Sequence, residues 1–90
     1  MTITFVRHRV ADYSAWRRVY DSVGDMQRQG GVTEEAVYSA EGDPNDLLVM
    51  HRFSSADEAH SFMENPDLRQ AMADAGVDVG SLRVEFYEED

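Results

Sequence analysis

The N-terminal stretch TITFVRHRV (2–10) alternates between its two sides with a period of two. Val6, His8 and Val10 share one side, and the residues between them share the other. Successive side chains of a strand point to opposite faces, so this pattern predicts a first strand. The segment EEAVYSA (34–40) predicts a second, shorter strand.

The spacing of apolar residues changes to three and four after Asp12. This spacing places side chains on one face of a helix, and an aspartate just before it is a favourable N-cap. We therefore predict an amphipathic helix that begins after Asp12 and ends before the sequence QGG. Its apolar positions are Tyr13, Trp16, Val19, Tyr20 and Val23.

The segment EGDPND (41–46) is dense in turn-forming residues and predicts a chain reversal. A third strand, DLLVMHRF (46–53), follows directly and completes a hairpin. This strand is apolar on both faces, and its large aliphatic residues are Leu47 and Val49 on one face and Leu48 and Met50 on the other.

Two short helices are predicted next. Ser55 and Glu58 have the spacing of a capping box, which marks the start of a helix. Asn65 followed by Pro66 favours the start of a further helix, and Gly76 favours its end. The apolar sides of these helices are Ala59, Phe62 and Met63 in the first and Leu68, Ala71, Met72 and Ala75 in the second.

The closing segment SLRVEFYEE (81–89) predicts a fourth strand, so the element order is βαββαβ. With right-handed crossovers, this order builds one α+β domain over residues 1–90, a four-stranded antiparallel sheet with its helices on one face. The other face would expose an apolar patch on the order of several hundred Å². We therefore expect a homodimer in which two sheets pack face to face.

The composition narrows the choice of partners and compartment. The chain has 18 acidic and 8 basic residues and a formal net charge of −10, so it should repel nucleic acid and anionic membrane surfaces. It contains no cysteine, which excludes disulfides, a thiol nucleophile and a cysteine-ligated zinc site. With no membrane-length apolar stretch and no signal-like N-terminus, we expect a cytoplasmic protein.

Two histidines, His8 and His51, lie among apolar residues of central strands and are the candidates for catalysis. If His8 pairs near Val49, His51 falls near Val6 and both imidazoles share a face, whereas a slip of one residue separates them. They are either core histidines with ordinary hydrogen-bond partners or a general base and an orienting donor in an apolar pocket. No spacing enforces three metal ligands, so we predict no metal site.

Three segments carry a family resemblance: RHRVADYSAWRRVYDS (7–22), GDPNDLLVMHRF (42–53) and NPDLRQAMADAGV (65–77). They resemble the small members of the dimeric α/β-barrel, ferredoxin-like superfamily that are related to antibiotic-biosynthesis monooxygenases and polyketide cyclases. The resemblance covers nearly the whole chain and implies a pocket in each subunit between the helices and the sheet. The superfamily hosts oxygenases, cyclases, isomerases and haem-degrading enzymes, so the fold alone does not fix the reaction.

The haem-degrading branch uses an asparagine on the first strand and a tryptophan and a histidine on the two later helices. Phe62 and Met72 align with the two helical positions, and the first strand has no asparagine. The resemblance therefore implies no haem degradation, and we expect no bound cofactor. Phe62 also replaces the histidine that the monooxygenase-like branch often carries, and His60 is expected in solvent.

Aromatic residues and methionines would line such a pocket. They suit planar aromatic ligands, although they are also usual in an ordinary core. Arg52 and Arg83 are strand arginines that either pair with the surplus carboxylates or bind an anionic group of the substrate. The lining candidates are Trp16, Tyr20, Phe62, Met63, Met72 and Phe86.

The leading hypothesis is a small-molecule enzyme of the cofactor-independent monooxygenase or cyclase type, acting on a planar or polyketide-like substrate. The alternative is a non-catalytic homodimer that binds small molecules or has an accessory role. An internal volume beside His8 and His51 that admits a bicyclic ligand would favour the enzyme.

Overall fold

The chain folds into four strands and four helices, and a computed structural model describes all residues, 1–90. A short 3₁₀ turn at Val79–Ser81 precedes the last strand. In chain order the elements are β1 (Thr2–Arg9), α1 (Tyr13–Ser22), α2 (Gly24–Gln29), β2 (Val32–Ala40), β3 (Asp43–Phe53), α3 (Ala56–Glu64), α4 (Pro66–Asp74) and β4 (Arg83–Glu88).

The strands form one antiparallel sheet in the order β2-β3-β1-β4. Burial alternates along β1 and β3, and the buried side of both strands packs against the helices. The predicted α+β architecture, a four-stranded antiparallel sheet with helices on one face, is confirmed. No helix of the chain is both long enough and apolar enough to cross a bilayer.

Side chains cap the helices at the predicted positions. The Asp12 carboxylate accepts a hydrogen bond from the Ala15 backbone N–H at 2.9 Å, and Asn65 accepts one from Asp67 at the same distance. Ser55 accepts from the Glu58 backbone N–H at 3.2 Å. Each cap satisfies a helix N–H that would otherwise lack a partner.

The first predicted helix is in fact two helices, which is a correction. The backbone leaves helical geometry at Val23, where φ is −106° and ψ is 20°, and the Val23 N–H bonds to the Tyr20 carbonyl. Gly24, a poor residue for a helix interior, follows directly and starts α2.

The hairpin is tighter than predicted, because β2 begins at Val32 and β3 already begins at Asp43. Only Glu41 and Gly42 remain between the strands. Gly42 has a φ of 81°, and a positive φ at the second central residue of a turn favours glycine. The six-residue turn predicted for 41–46 is therefore wrong in length, although it is right in position.

The pairing of the central strands differs from the predicted register by two residues. Val6, not His8, lies opposite Val49, and His8 lies opposite Leu47. A shift by an even number leaves every side chain on its predicted face, because side chains alternate with a period of two. His8 and His51 therefore share the helix-facing side of the sheet, although they lie further apart than expected.

The two glycines at 30–31 join α2 to β2. A Cβ atom on Gly30 would lie 2.5 Å from Cδ1 of Phe62, so the glycine lets this ring pack against the backbone. Gly31 has a φ of 99° and turns the chain into β2. Their role is to admit the Phe62 ring and to reverse the chain.

Candidate functional site

A small cavity lies between the helices and the central strands, with a volume of about 60 Å³. We call it the inner pocket. It separates two groups of buried apolar residues, one around Trp16 and Leu47 and the other around Phe53 and Phe62. Its walls are Val6, His8, Trp16, Val19, Tyr20, Val23, Gln27, Val49, His51, Phe62, Met63, Leu68, Ala71, Met72 and Ala75.

Both candidate histidines line the inner pocket, as do five of the six predicted lining residues. The five are Trp16, Tyr20, Phe62, Met63 and Met72. An engineered cavity of roughly 150 Å³ binds benzene, so the inner pocket in this conformation is too small for a bicyclic ligand. The volume that would have favoured an enzyme is therefore absent from the inner pocket alone.

His51 is enclosed by aromatic rings and is only 5% exposed. The Phe62 ring meets it edge-on with the centroids 5.6 Å apart, and the Phe53 ring does so at 6.4 Å. Tyr20 lies nearly parallel to the imidazole with the centroids 6.1 Å apart. The imidazole therefore sits in an apolar surround that disfavours its charged form.

A short hydrogen-bonded chain joins His51 to a carboxylate. The Tyr20 hydroxyl donates to Oε1 of Glu35 at 2.6 Å, and its oxygen lies 3.1 Å from Nε2 of His51. Because the hydroxyl proton points to Glu35, the Tyr20 oxygen is free to accept a hydrogen bond from the Nε2–H of His51. That assignment leaves Nδ1 of His51 as the acceptor nitrogen, and Nδ1 is buried without a hydrogen-bond partner.

The protonation states follow from burial. Burial lowers the pKa of His51 from 6.5 to about 4, while the charge of Glu35 opposes the shift. Burial and the hydrogen bond to Glu35 raise the pKa of Tyr20 above its ordinary value. At neutral pH the site therefore contains a neutral imidazole with a free Nδ1 lone pair, held in place by a neutral tyrosine.

His8 lies at the other end of the inner pocket. Its ring centroid is 5.9 Å from that of Trp16, which in turn stacks on Tyr20 at 4.8 Å. Burial lowers the pKa of His8. Because His51 pairs with Thr4, four residues before His8, the two histidines are roughly 13 Å apart along the sheet. At this distance we expect them to titrate separately, not as the coupled pair that the predicted register suggested.

Two polar residues of the site were missed by sequence reasoning. Glu35 lies directly across the β2–β3 pair from His51, and Gln27 is buried beside the Tyr20 hydroxyl. Glu35 and Val37 lie two residues apart and share the helix-facing side of β2. The alternation along β2 therefore did indicate that Glu35 faces the helices. The register that brings Glu35 next to His51 depends on the hairpin turn, whose length was predicted incorrectly.

A second cavity lies beside the inner pocket, between α3, α4 and β4, with a volume of about 540 Å³. We call it the β4 groove. Phe86 lines the β4 groove and not the inner pocket, because β4 is the edge strand beyond β1. His60 is exposed as predicted, and its ring stacks on Phe86 at 3.9 Å. The groove is lined by His60, Met63, Glu64, Leu68, Arg69, Met72, Val79, Leu82, Val84 and Phe86.

The structure does not bring Arg52 and Arg83 to the inner pocket. Both side chains belong to the opposite face of the sheet, and Arg52 forms salt bridges with Glu34 and Glu89. For Arg52 this agrees with the interpretation in which strand arginines pair with the surplus carboxylates, whereas Arg83 forms no salt bridge. Nowhere in the chain do three histidine or carboxylate side chains converge as metal ligands would.

Comparison with known proteins places this geometry in a wider fold group. No protein-family model matches the sequence, and no curated protein is significantly similar to it. Solved structures do match over the full chain. A Deinococcus radiodurans protein, provisionally assigned as an antibiotic biosynthesis monooxygenase, superposes with a TM-score of 0.78 at 18% identity, over 100% of this chain and 93% of that one. The ferredoxin-like fold is shared.

Two further structures support the same result. SnoaB from Streptomyces nogalater, described as a cofactor-independent oxygenase, superposes with a TM-score of 0.78 at 11% identity, over 99% of this chain and 93% of its own. Rv0793 from Mycobacterium tuberculosis gives 0.72 at 18% identity, over 98% and 93%. The predicted resemblance is thus confirmed at the level of the fold, and identities this low establish nothing beyond it.

Proposed function

We propose that this protein is a cofactor-independent oxygenase that acts on a planar, electron-rich, polyketide-like aromatic molecule. The observation that carries the proposal is the buried His51 imidazole, whose Nδ1 has no partner and whose Nε2 lies 3.1 Å from the Tyr20 hydroxyl. A general base needs such a free lone pair facing the substrate. The fold shared with SnoaB supports the same type of chemistry.

In the first step, Nδ1 of His51 takes a proton from an acidic methylene or phenol of the substrate. The resulting imidazolium is stabilised by the Tyr20 oxygen at Nε2 and, through Tyr20, by the Glu35 carboxylate. The substrate becomes an electron-rich anion. The apolar surround of His51 excludes water, so the charge pair stays close and the substrate anion is not reprotonated by solvent.

In the second step, the substrate anion supplies the electrons that reduce dioxygen. A carbon–oxygen bond forms to give a hydroperoxide, and loss of water leaves a ketone. His51 returns its proton to the peroxide anion to give this hydroperoxide, then removes the remaining C–H proton as the O–O bond breaks, and passes that proton to the departing hydroxide. For a methylene, the sum is R₂CH₂ plus O₂ giving R₂C=O plus H₂O. The substrate itself is the reductant, so the proposed reaction needs no bound cofactor.

We propose further that two chains form a homodimer through the sheet face opposite the helices. Phe5, Leu48 and Met50 project from this face and are only half-buried within one chain. Salt bridges Arg7–Asp46 and Arg52–Glu34 neutralise arginines of the same face. An apolar centre with neutralised charges around it is the composition expected of a subunit interface.

The proposed activity is tested by oxygen uptake with anthrone, a three-ring ketone with an acidic methylene. We expect the protein to accelerate oxygen uptake and to form anthraquinone, and we expect His51→Gln to lose that acceleration. Glutamine retains a polar group near Tyr20, so the variant should keep its fold. Equal rates for the native protein and His51→Gln would remove His51 from the reaction.

The same experiment separates the alternative functions. Conversion of a polyketide-like substrate without oxygen uptake would indicate a cyclase that uses the same proton abstraction. Binding of planar aromatics without any conversion would support a non-catalytic small-molecule-binding homodimer. The 60 Å³ volume of the inner pocket is too small for such ligands and is the observation that favours a third outcome, an accessory homodimer that neither binds nor converts them.

A further inference from the structure

We propose that Met63 and Met72 form a movable partition between the inner pocket and the β4 groove, and that the protein binds an elongated planar molecule with a carboxylate or phenolate at one end. The apolar body of this ligand lies across the sheet, and its anionic end binds Arg69. The proposal rests on the proposed function for the identity of the ligand as substrate. The binding itself does not require turnover.

The two cavities share one wall. Met63, Leu68 and Met72 line both the inner pocket and the β4 groove, so one layer of side chains separates them. The inner pocket has about 60 Å³ and the groove about 540 Å³. Only the two together combine a buried base with enough volume for a ligand of several rings.

The floor beneath this wall is continuous. Val49, Val6 and Val84 form one row across β3, β1 and β4, because Val6 pairs with both of the others. Val49 and Val6 line the inner pocket, whereas Val84 lines the groove. Neighbouring strands lie about 4.8 Å apart, so this row of valines spans about 10 Å across the sheet, a width suited to a molecule of several rings.

The row next to this floor contains an unsatisfied polar group. Thr4 pairs with His51, which lines the inner pocket, and with Phe86, which lines the groove, although Thr4 itself lines neither cavity. Thr4 is fully buried, and its hydroxyl has no hydrogen-bond partner. Burying an unpaired hydroxyl is unfavourable. A ligand oxygen that reaches Thr4 once the two methionines have moved would supply the missing partner.

The shared wall contains residues suited to movement. Met63 and Met72 are only partly buried, and an unbranched methionine can change rotamer with little steric hindrance. Leu68 is buried against the group that contains Phe62 and is the fixed part of the wall. Rotation of the two methionines would therefore join the cavities while the helices keep their positions.

The charge at the groove rim identifies the end group of the ligand. Arg69 lines the groove, is exposed and forms no salt bridge, whereas Arg52 on the other face has two. Glu64 and His60 also line the rim. In a chain of net charge −10, a free guanidinium is the local group that would attract a carboxylate or phenolate.

The test uses anthraquinone-2-carboxylate as the probe and uncharged anthraquinone as its matched control. Trp16 is the single tryptophan and lines the inner pocket, so quenching of its fluorescence reports occupancy of that end. We expect Arg69→Gln to weaken binding of the carboxylate probe roughly tenfold and to leave the neutral probe unchanged. Arg18→Gln, at an exposed arginine of α1, should change neither.

Separate variants test the methionine partition and the Thr4 hydroxyl. Isoleucine is stiff at χ1, so Met63→Ile combined with Met72→Ile should weaken both probes about fivefold or more. Thr4→Val keeps the shape of the side chain and removes the unpaired hydroxyl, so the fold should persist while both quinones bind several-fold more weakly. If the methionine variant fails to fold, Thr4→Val and Arg69→Gln still decide the outcome.

The proposal would be overturned by probe affinities that are equal in the native protein, Arg69→Gln and Thr4→Val, or by no quenching of Trp16 at millimolar probe. Its failure is distinguishable from failure of the proposed oxygenase. Variant-sensitive binding without oxygen uptake would remove the oxygenase and keep the partition. Oxygen uptake that is insensitive to these variants would remove the partition and keep the oxygenase.

Discussion

His51 is buried, and one of its ring nitrogens has no hydrogen-bond partner. Both features follow from the aromatic side chains that surround the imidazole. The imidazole lies in a ring of aromatic side chains, where its one hydrogen-bond partner is Tyr20. A core histidine without a function would be expected to satisfy both nitrogens. Nδ1 of His8 is buried and unpaired in the same way, so this feature favours the functional interpretation for both histidines, and the tyrosine–glutamate chain is what distinguishes His51. The low pKa of His51 keeps its Nδ1 unprotonated at neutral pH.

The shifted pKa of His51 predicts how stability depends on pH. The pKa falls from 6.5 to about 4 on folding, so below pH 6.5 the unfolded chain takes up a proton that the folded chain refuses. The stabilisation is fully present above pH 6.5 and is lost as pH falls toward 4. A shift from 6.5 to about 4 corresponds to roughly 3 kcal/mol.

Urea unfolding at a series of pH values measures this effect. We expect the free energy of unfolding to fall between pH 6.5 and 4, and His51→Gln to flatten that part of the curve. His8 contributes in the same direction, because burial lowers its pKa too, so some slope should remain in the variant. An unchanged slope in His51→Gln would show that this histidine titrates normally in the folded protein.

At the scale of secondary structure, the joint between α2 and β2 depends on close packing. The Phe62 ring of α3 occupies the space where a side chain on Gly30 would lie. The same ring forms one wall of the inner pocket and touches His51 edge-on. A change at Gly30 would therefore be transmitted through α3 to the candidate base.

Gly30→Ala tests this packing. The added methyl group would force Phe62 to move, and overpacking of this kind costs about 1–3 kcal/mol. Gly24→Ala is the matched control, because a Cβ there has its nearest neighbour at 3.5 Å, the flexible end of Arg28. We expect thermal unfolding to show a loss for Gly30→Ala and none for Gly24→Ala. Equal stability of the two variants would mean that Phe62 is not held against Gly30.

Much of the architecture could be predicted from the sequence because it depends on local periodicity. The faces of β1 and β3 follow from alternation, and the starts of α3 and α4 follow from Ser55 and Asn65. These signals lie within a few residues of the structure that they specify. His51 could be assigned to the helix-facing side for the same reason.

The remaining details depend on contacts between distant segments. The break at Val23 comes directly before Gly24, and a glycine marks a break less strongly than a proline would. The place of Glu35 beside His51 depends on strand register. Phe86 was assigned to the correct face but to the wrong cavity, because sequence periodicity gives the face of a strand and not its place in the sheet.

At the scale of the whole molecule, the sheet has one face covered by helices and one face without cover. The uncovered face carries Phe5 and Met50, which lie opposite each other on β1 and β3, and the exposed rings of Tyr38 and Tyr87. A second sheet packed on this face would remove the apolar surface from water. The inner pocket lies on the other side, so dimer formation and ligand binding should be separable.

Met50→Glu tests the interface. A charge placed without a partner between two sheets costs several kcal/mol, of the order of the stability of a small domain. We expect sedimentation at micromolar concentration to show about twice the 10.2 kDa chain mass for the native protein and a single chain for Met50→Glu. Ala73→Glu adds the same charge on exposed α4 and should remain dimeric. A native protein that sediments as a single chain would contradict the proposed dimer.

Planar aromatic molecules are proposed to bind beside His51 on the helix-facing side of the sheet. A crystal structure with bound anthraquinone-2-carboxylate would locate the site. We expect the rings to lie on Val6 and Val49, a ligand oxygen to lie within hydrogen-bond distance of the His51 imidazole or the Thr4 hydroxyl, and Met63 and Met72 to be rotated away from the inner pocket. A ligand on the opposite face of the sheet, with the inner pocket still closed, would show that the proposed site is wrong.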